Sequence, residues 1–150
     1  MKPKILFILH LPPPIHGAAM MGKYIQESEL INSSFDCFCI NLATAGSLSD
    51  IGHISLKKLL KYFFLLKHIS HVVREIRPEL VYITPNAGGK AFFKDFIVVQ
   101  MLKSMGCKVI AHYHNKGVSV YQSKWVYNFF YKRFFSNLKV ILLAENLYKD

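Results

Sequence analysis

Two short stretches carry residue types able to work on an anionic or polar ligand: HGAA at residues 16–19 and HYHN at residues 112–115. Small residues at a helix start leave the first-turn N–H groups approachable, and the helix dipole adds positive potential there. Gly17 and Ala18, following His16, therefore suit the approach of a phosphate or diphosphate. The same glycine could equally serve only to make the turn. In HYHN, His112 and His114 point the same way on a strand, because strand side chains alternate. Such a pair could ligate a metal, yet no third ligand lies at a suggestive spacing. His112 reads as a packed core histidine, and His114, at a strand mouth, as a functional one.

The familiar phosphate motifs fit poorly. A dinucleotide site wants G-x-G-x-x-G after the first strand and an acid at the end of the second. The chain offers LPPPIHGAAMMG and a second strand ending in Asn41-Leu42. Gly17, Gly22 and Lys23 have the P-loop spacing, but Tyr24 stands where a magnesium-binding hydroxyl belongs. Gly22 also falls inside a helical stretch.

Alternating apolar runs and helical patterns predict the elements that position these residues. Strands are expected at residues 4–10, Phe35–Leu42, Leu80–Thr84, Lys108–Tyr113 and Lys139–Leu143. Helices are expected at residues 17–31, Ser55–Ile76, Lys90–Ser104 and Ser123–Phe135. Residues 43–53 read as a Gly/Ser loop. The long helix should stop before Arg77-Pro78, since a residue preceding proline avoids the helical region, and Gly106 should close the next one. Short apolar strands separated by helices imply an α/β fold, a Rossmann-like parallel sheet with helices on both faces. At 150 residues one domain is expected. The pattern stops just after the fifth strand, where another helix should begin, so the chain looks cut short.

In open parallel sheets, ligands bind beyond the carboxyl ends of the strands. Those ends are His10–Gly17, Asn41–Gly46, Thr84–Gly89, His112–Gly117 and Ala144–Asn146, and four of the five combine glycine with His or Asn. The triple proline at Pro12–Pro14 should stiffen the first of them, since its φ angles are fixed and it lacks donors.

Strand one with PPPIHGAA, strand three with TPNAGG, and VIAHYHN together resemble the N-terminal domain of a GT-B fold glycosyltransferase, most closely the retaining family 4 group of bacterial nucleotide-sugar transferases. The resemblance covers nearly the whole chain in order. It implies that His16, Gly17 and Ala18 approach the donor diphosphate and the acceptor. Many members carry two glycines where this chain has Gly17-Ala18. It further implies that His114 lies near the transferring sugar, supporting the departing phosphate or the sugar hydroxyls, with Asn115 beside it, and that Asn86, Gly88 and Asn115 line the acceptor cleft. The implied activity moves a sugar from a nucleotide-diphosphate donor to a hydroxyl acceptor with its anomeric configuration kept, in bacterial surface polysaccharide or glycolipid synthesis. The nucleotide sugar is a substrate, and neither cofactor nor metal is implied. Most donor contacts in such enzymes belong to a second Rossmann-like domain, so this chain alone should be inactive.

The charge balance points to an anionic partner: 19 Lys and Arg stand against 9 Asp and Glu, a net +10. Projecting residues 55–76 at 100° per residue predicts one apolar face of Leu56, Leu59, Phe63, Leu66 and Val73. The opposite face holds Lys57, Lys61, His68, His71 and Glu75, interrupted by Phe64. Lys57, Lys61, Phe64 and His68 therefore suit contact with an anionic membrane surface, and the resemblance implies a lipid-linked or saccharide acceptor. The helix at 123–135 is aromatic nearly all round, which predicts burial against something. No nucleic-acid module is visible, and the lysines lie on helix faces rather than beside exposed aromatic strand residues, so nucleic acid is not the expected partner.

Three cysteines, two of them in a C-x-C pair within an apolar run, form no disulfide framework and read as buried thiols in a reducing compartment. No signal peptide and no run of about 18 apolar residues is visible, so the expected location is the cytoplasm, peripheral to the inner face of the cell membrane. A second class of function is a non-catalytic α/β binding module for a phosphorylated ligand or an anionic membrane surface.

Overall fold

In a computed structural model, which describes residues 1–42 and 56–145, the chain is α/β. The elements run β1 (Lys4–Leu9), α1 (Gly17–Glu27), α2 (Glu29–Ser34), β2 (Asp36–Asn41), α3 (Leu56–Ile76), β3 (Leu80–Ile83), α4 (Gly89–Ser104), β4 (Val109–Tyr113), α5 (Val118–Gln122), α6 (Trp125–Phe135) and β5 (Lys139–Leu142). The five strands form one all-parallel sheet in the order β2-β1-β3-β4-β5, as the sequence pattern predicts. The loop expected at 43–53 lies outside the described residues. The chain divides between Tyr82 and Ile83 into two compact units.

In the first unit, β1 pairs in parallel with β2 from Lys4↔Asp36 to Leu9↔Asn41. Ile5 through Leu9 are all buried, and Leu6, Ile8 and Leu9 are fully enclosed. Ile5, Phe7 and Leu9 share one face because strand residues alternate. Against them pack Ile25, Ile31, Phe35, Cys37, Cys39, Leu80 and Tyr82. The thiols are half-buried and free, and burial raises the pKa of each.

The single helix expected over 17–31 is two helices. Ser28 leaves helical geometry (φ −66°, ψ 114°) and its hydroxyl accepts the Ile31 N–H at 3.4 Å, an N-cap for α2. Apolar periodicity continues through this break, which is why pattern alone runs past it. Gly22 of α1 lies against the end of β1, where a Cβ would collide with the His10 carbonyl. Its role is close packing of helix on strand, and the apparent P-loop spacing is coincidental. Lys23 is engaged with Glu27 at 3.8 Å on the solvent side.

The long helix α3 ends as expected, with Arg77 turning left-handed (φ 48°) before Pro78 and its N–H bonding the Val73 carbonyl. Its inward face is shifted from the one expected. Of the expected apolar face Val73 is buried, with Ile69 as its buried neighbour, whereas Leu56, Leu59 and Phe63 are exposed. Hydrophobic periodicity alone does not distinguish an inward apolar row from an outward one.

In the second unit, β4 pairs in parallel with β5. Phe92 of α4 is fully buried, and its ring lies 4.6 Å from Tyr131 and 5.5 Å from Phe134, both of α6. Tilted and edge-on arrangements of this kind suit the ring quadrupoles. The aromatic helix α6 thus buries only one side, Tyr131 and Phe134, and leaves Trp125, Val126 and Phe129 exposed. Lys103 of α4 reaches the end of α6, where its ammonium donates to the carbonyls of Arg133, Phe134 and Ser136 at 3.2, 2.6 and 2.5 Å. Carbonyls with no helical partner are satisfied in this way. Gly106 has the positive φ (78°) of a helix-closing glycine. The short α5 has no counterpart in the sequence pattern. No helix among the described residues is long and apolar enough to cross a membrane.

Gly22→Ala should lower the unfolding free energy by about 1–3 kcal/mol, the usual cost of overpacking. Gly17→Ala, where an added Cβ would meet nothing within 4 Å, should change it by no more than about 0.5 kcal/mol. Urea denaturation of the two variants checks the contrast, and equal losses would refute it.

Candidate functional site

In the first unit the candidate residues follow β1. The Leu11 N–H donates to the Asn41 side-chain oxygen at 3.2 Å, tying the departing loop to the end of β2. The Pro12–Pro13 and Pro13–Pro14 peptides are cis. His16 is extended (φ −154°, ψ 167°) and caps α1: its Nδ1 accepts the Ala19 N–H at 3.3 Å, and its carbonyl accepts the Met20 N–H at 3.0 Å.

The cap consumes one first-turn donor that the sequence reading offered to a ligand. The Gly17 and Ala18 N–H groups remain, and no partner for them occurs among the described residues. Gly17 is exposed, and the first turn of α1 contains no acid. Gly17 also lacks a positive φ, and a Cβ there would meet open space. Glycine at this position is therefore not demanded by the turn.

In the second unit, residues 84–89 link β3 to α4 and are held from three sides. From α4, Asp95 Oδ2 accepts both the backbone N–H and the side-chain amide of Asn86, each at 2.8 Å. From the end of β4, Asn115 Oδ1 accepts the Ala87 N–H at 3.2 Å. From α6, the Tyr131 hydroxyl donates to the Ala87 carbonyl at 2.5 Å. Gly88 lies flat against the Tyr121 ring of α5, which a Cβ would strike, and Gly89 has φ 68°. Asn86, Gly88 and Asn115 are thus brought together, but as fasteners and close-packed backbone. The Asn86 amide nitrogen is committed to Asp95, and the Asn115 Oδ1 to Ala87.

Burial raises the Asp95 carboxyl from its ordinary value of 3.8 to about 6, and the two Asn86 hydrogen bonds only partly oppose that shift. It also pushes the Tyr113 hydroxyl well upward, with the Asp95 and Tyr131 charges adding. Along β4 the buried residues are Val109, Ala111 and Tyr113, so His112 and His114 share the opposite face. Their rings lie 4.2 Å apart. Burial lowers both histidine pKa values, and for His112 the neighbouring His114 lowers it further. The lowered values favour the neutral form of each ring. Both ring nitrogens of His114 are enclosed without a hydrogen-bond partner among the described residues, as are the Thr84 and Tyr113 hydroxyls. Buried polar atoms normally find partners, so this group has unused hydrogen-bonding capacity.

Among the described residues no group of three or more His, Cys, Asp or Glu could hold a metal ion. Lys57, Lys61, Phe64 and His68 are all exposed on α3, in the first unit. Asp95, Thr84, Tyr113 and Tyr131 were not singled out from the sequence. Asp95 could have been, because it falls on the same inward row as Phe92, Val98, Val99 and Leu102 of an otherwise apolar helix. A lone acid on such a row must find partners or change its pKa. No family model, curated protein or solved structure matches the chain.

The folded carboxyl of Asp95 titrates above its unfolded value, so folding binds a proton between about pH 4 and 6 and the native state loses stability as pH rises through that window. Asp95→Asn keeps an oxygen where Oδ2 accepts and removes the titration. From pH 4 to 7 the wild type should lose about 2.5 kcal/mol relative to this variant. Denaturation at each pH measures the difference, and parallel profiles would contradict the assignment.

Proposed function

We propose that this chain is the acceptor-side domain of a retaining glycosyltransferase of the GT-B type, which moves a sugar from a nucleotide-diphosphate donor to a hydroxyl of a lipid-linked or saccharide acceptor. The observation that carries the reading is the start of α1. It presents two open N–H groups at a glycine that the fold does not require, at the end of a helix dipole and with no acid nearby. In the transfer, the bond between the anomeric carbon and the donor phosphate breaks and a glycosidic bond forms to the acceptor oxygen, whose proton is released. The diphosphate departs with an added negative charge. Donors already aimed at that charge lower the barrier most, and the Gly17 and Ala18 N–H groups supply them.

His114 supports the same reading from the second unit. Burial disfavours its charged form, and both nitrogens have unused hydrogen-bonding capacity. It would serve as a hydrogen-bond partner of the transferring sugar or the departing phosphate, not as a fixed positive charge. The family resemblance assigns most donor contacts, including a carboxylate pair, to a second domain.

One observation favours the alternative of a non-catalytic module for a phosphorylated ligand. Asn86 and Asn115, expected in the acceptor cleft, are occupied in holding the loop after β3. The complete product of this gene, supplied with labelled nucleotide sugars and a hydroxyl acceptor, separates the two. Transfer is expected, and His114→Ala should lower kcat at least about 100-fold with an unchanged circular dichroism spectrum. Saturable donor binding without transfer would favour the binding module. Undiminished turnover in the variant would remove His114 from the mechanism.

A further inference from the structure

The outward side of α3 is unlike an ordinary solvated helix face. Leu56, Leu60, Phe63 and Phe64 recur at i, i+4, i+7 and i+8, which aligns them on one side of a helix. They are exposed to 74, 52, 51 and 64 %. Leu59 is also exposed at the margin. Beside this row stand Lys57 and Lys61, and Lys67 closes its far end with its ammonium 4.7 Å from the centre of the Phe63 ring. No Asp or Glu occurs between Asp50 and Glu75. Farther along, the same helix turns polar, with His71 paired to Glu75 at 3.5 Å.

We propose that α3 docks the chain on an anionic lipid bilayer, with Leu56, Leu60, Phe63 and Phe64 entering the headgroup boundary and Lys57, Lys61 and Lys67 meeting lipid phosphates. An interfacial helix needs an apolar row flanked by cations with long stems, which can lie along the membrane while their ammonium groups reach the phosphates. A second copy of this chain is a poorer occupant. A two-fold contact across this row would bring the same lysines together with no acid in the segment to answer them. An acidic protein would answer the lysines, but the row is a ridge of protruding aromatic and leucine side chains, which lipid accommodates without a matching groove. The inference goes beyond the transferase reading and stands without it, since it uses no residue of the strand mouths.

Flotation of the 150-residue chain with neutral phosphatidylcholine vesicles and with vesicles containing phosphatidylglycerol tests the proposal. Recovery with the anionic vesicles alone is expected, weakening as salt is added. Phe63→Ser with Phe64→Ser should reduce partitioning at least about tenfold. Lys57→Gln with Lys61→Gln should reduce it about 25-fold, at roughly fivefold per lysine. Both variants change only exposed residues, so circular dichroism should match the wild type. Failure to float, equal flotation with neutral vesicles, or variants that float like the wild type would overturn the proposal. So would a wild-type dimer in sedimentation equilibrium that the Phe63→Ser, Phe64→Ser variant disperses, or saturable binding to polyglutamate in place of anionic vesicles.

Discussion

A buried carboxylate held by the two hydrogen-bonding groups of one asparagine governs the second unit. Asp95 sits on the inward side of α4, and its Oδ2 fastens both hydrogen-bonding groups of Asn86. Neutral partners stabilise an ionised carboxylate less than a cation would, so burial wins and the carboxyl titrates near 6. The shape of the loop after β3 follows from that contact. Once Asn86 is held, Ala87 meets Asn115 and Tyr131, and Gly88 lies against Tyr121. The entrance to α4 is therefore set by residues from α4, α5, α6 and the end of β4, all within one unit.

The first unit shows one residue type answering two different demands. Gly22 has no Cβ because a carbonyl lies where the Cβ would go. Five residues earlier, Gly17 has open space and an ordinary φ. A glycine with no conformational or packing reason costs helix stability relative to alanine. Room for a ligand at the first-turn amides gives it a reason, and the proposed diphosphate is of that kind.

Much of the fold was legible, because buried parallel strands read as short apolar runs and the intervening helices as longer ones. All five strands fall where those runs lie, and the end of α3 at Arg77-Pro78 follows from proline sterics. The break at Ser28 was hidden because apolar residues continue through it. The short α5 was hidden because five residues with two valines carry no helical signal. The orientation of α3 was misread for a deeper reason: it carries apolar residues on both its inward and outward sides, and periodicity cannot rank the two. At the strand mouths, residue types were legible but their tasks were not. His16 caps a helix through Ala19, three residues on, whereas Asn86 and Asn115 tie down a loop through partners nine and 28 residues away. Asp95 was visible as an acid on an apolar row, although its partner Asn86, nine residues away, could not be read from helical spacing.

The most direct test of the central claim is an amide titration by heteronuclear NMR, with inorganic pyrophosphate added to the isotope-labelled chain. If the start of α1 receives the donor diphosphate, the Gly17 and Ala18 cross-peaks should move progressively and saturably, while amides of the β1–β2 core stay fixed. Motionless Gly17 and Ala18 signals at saturating pyrophosphate, or shifts spread evenly over the lysine-rich surface, would contradict it.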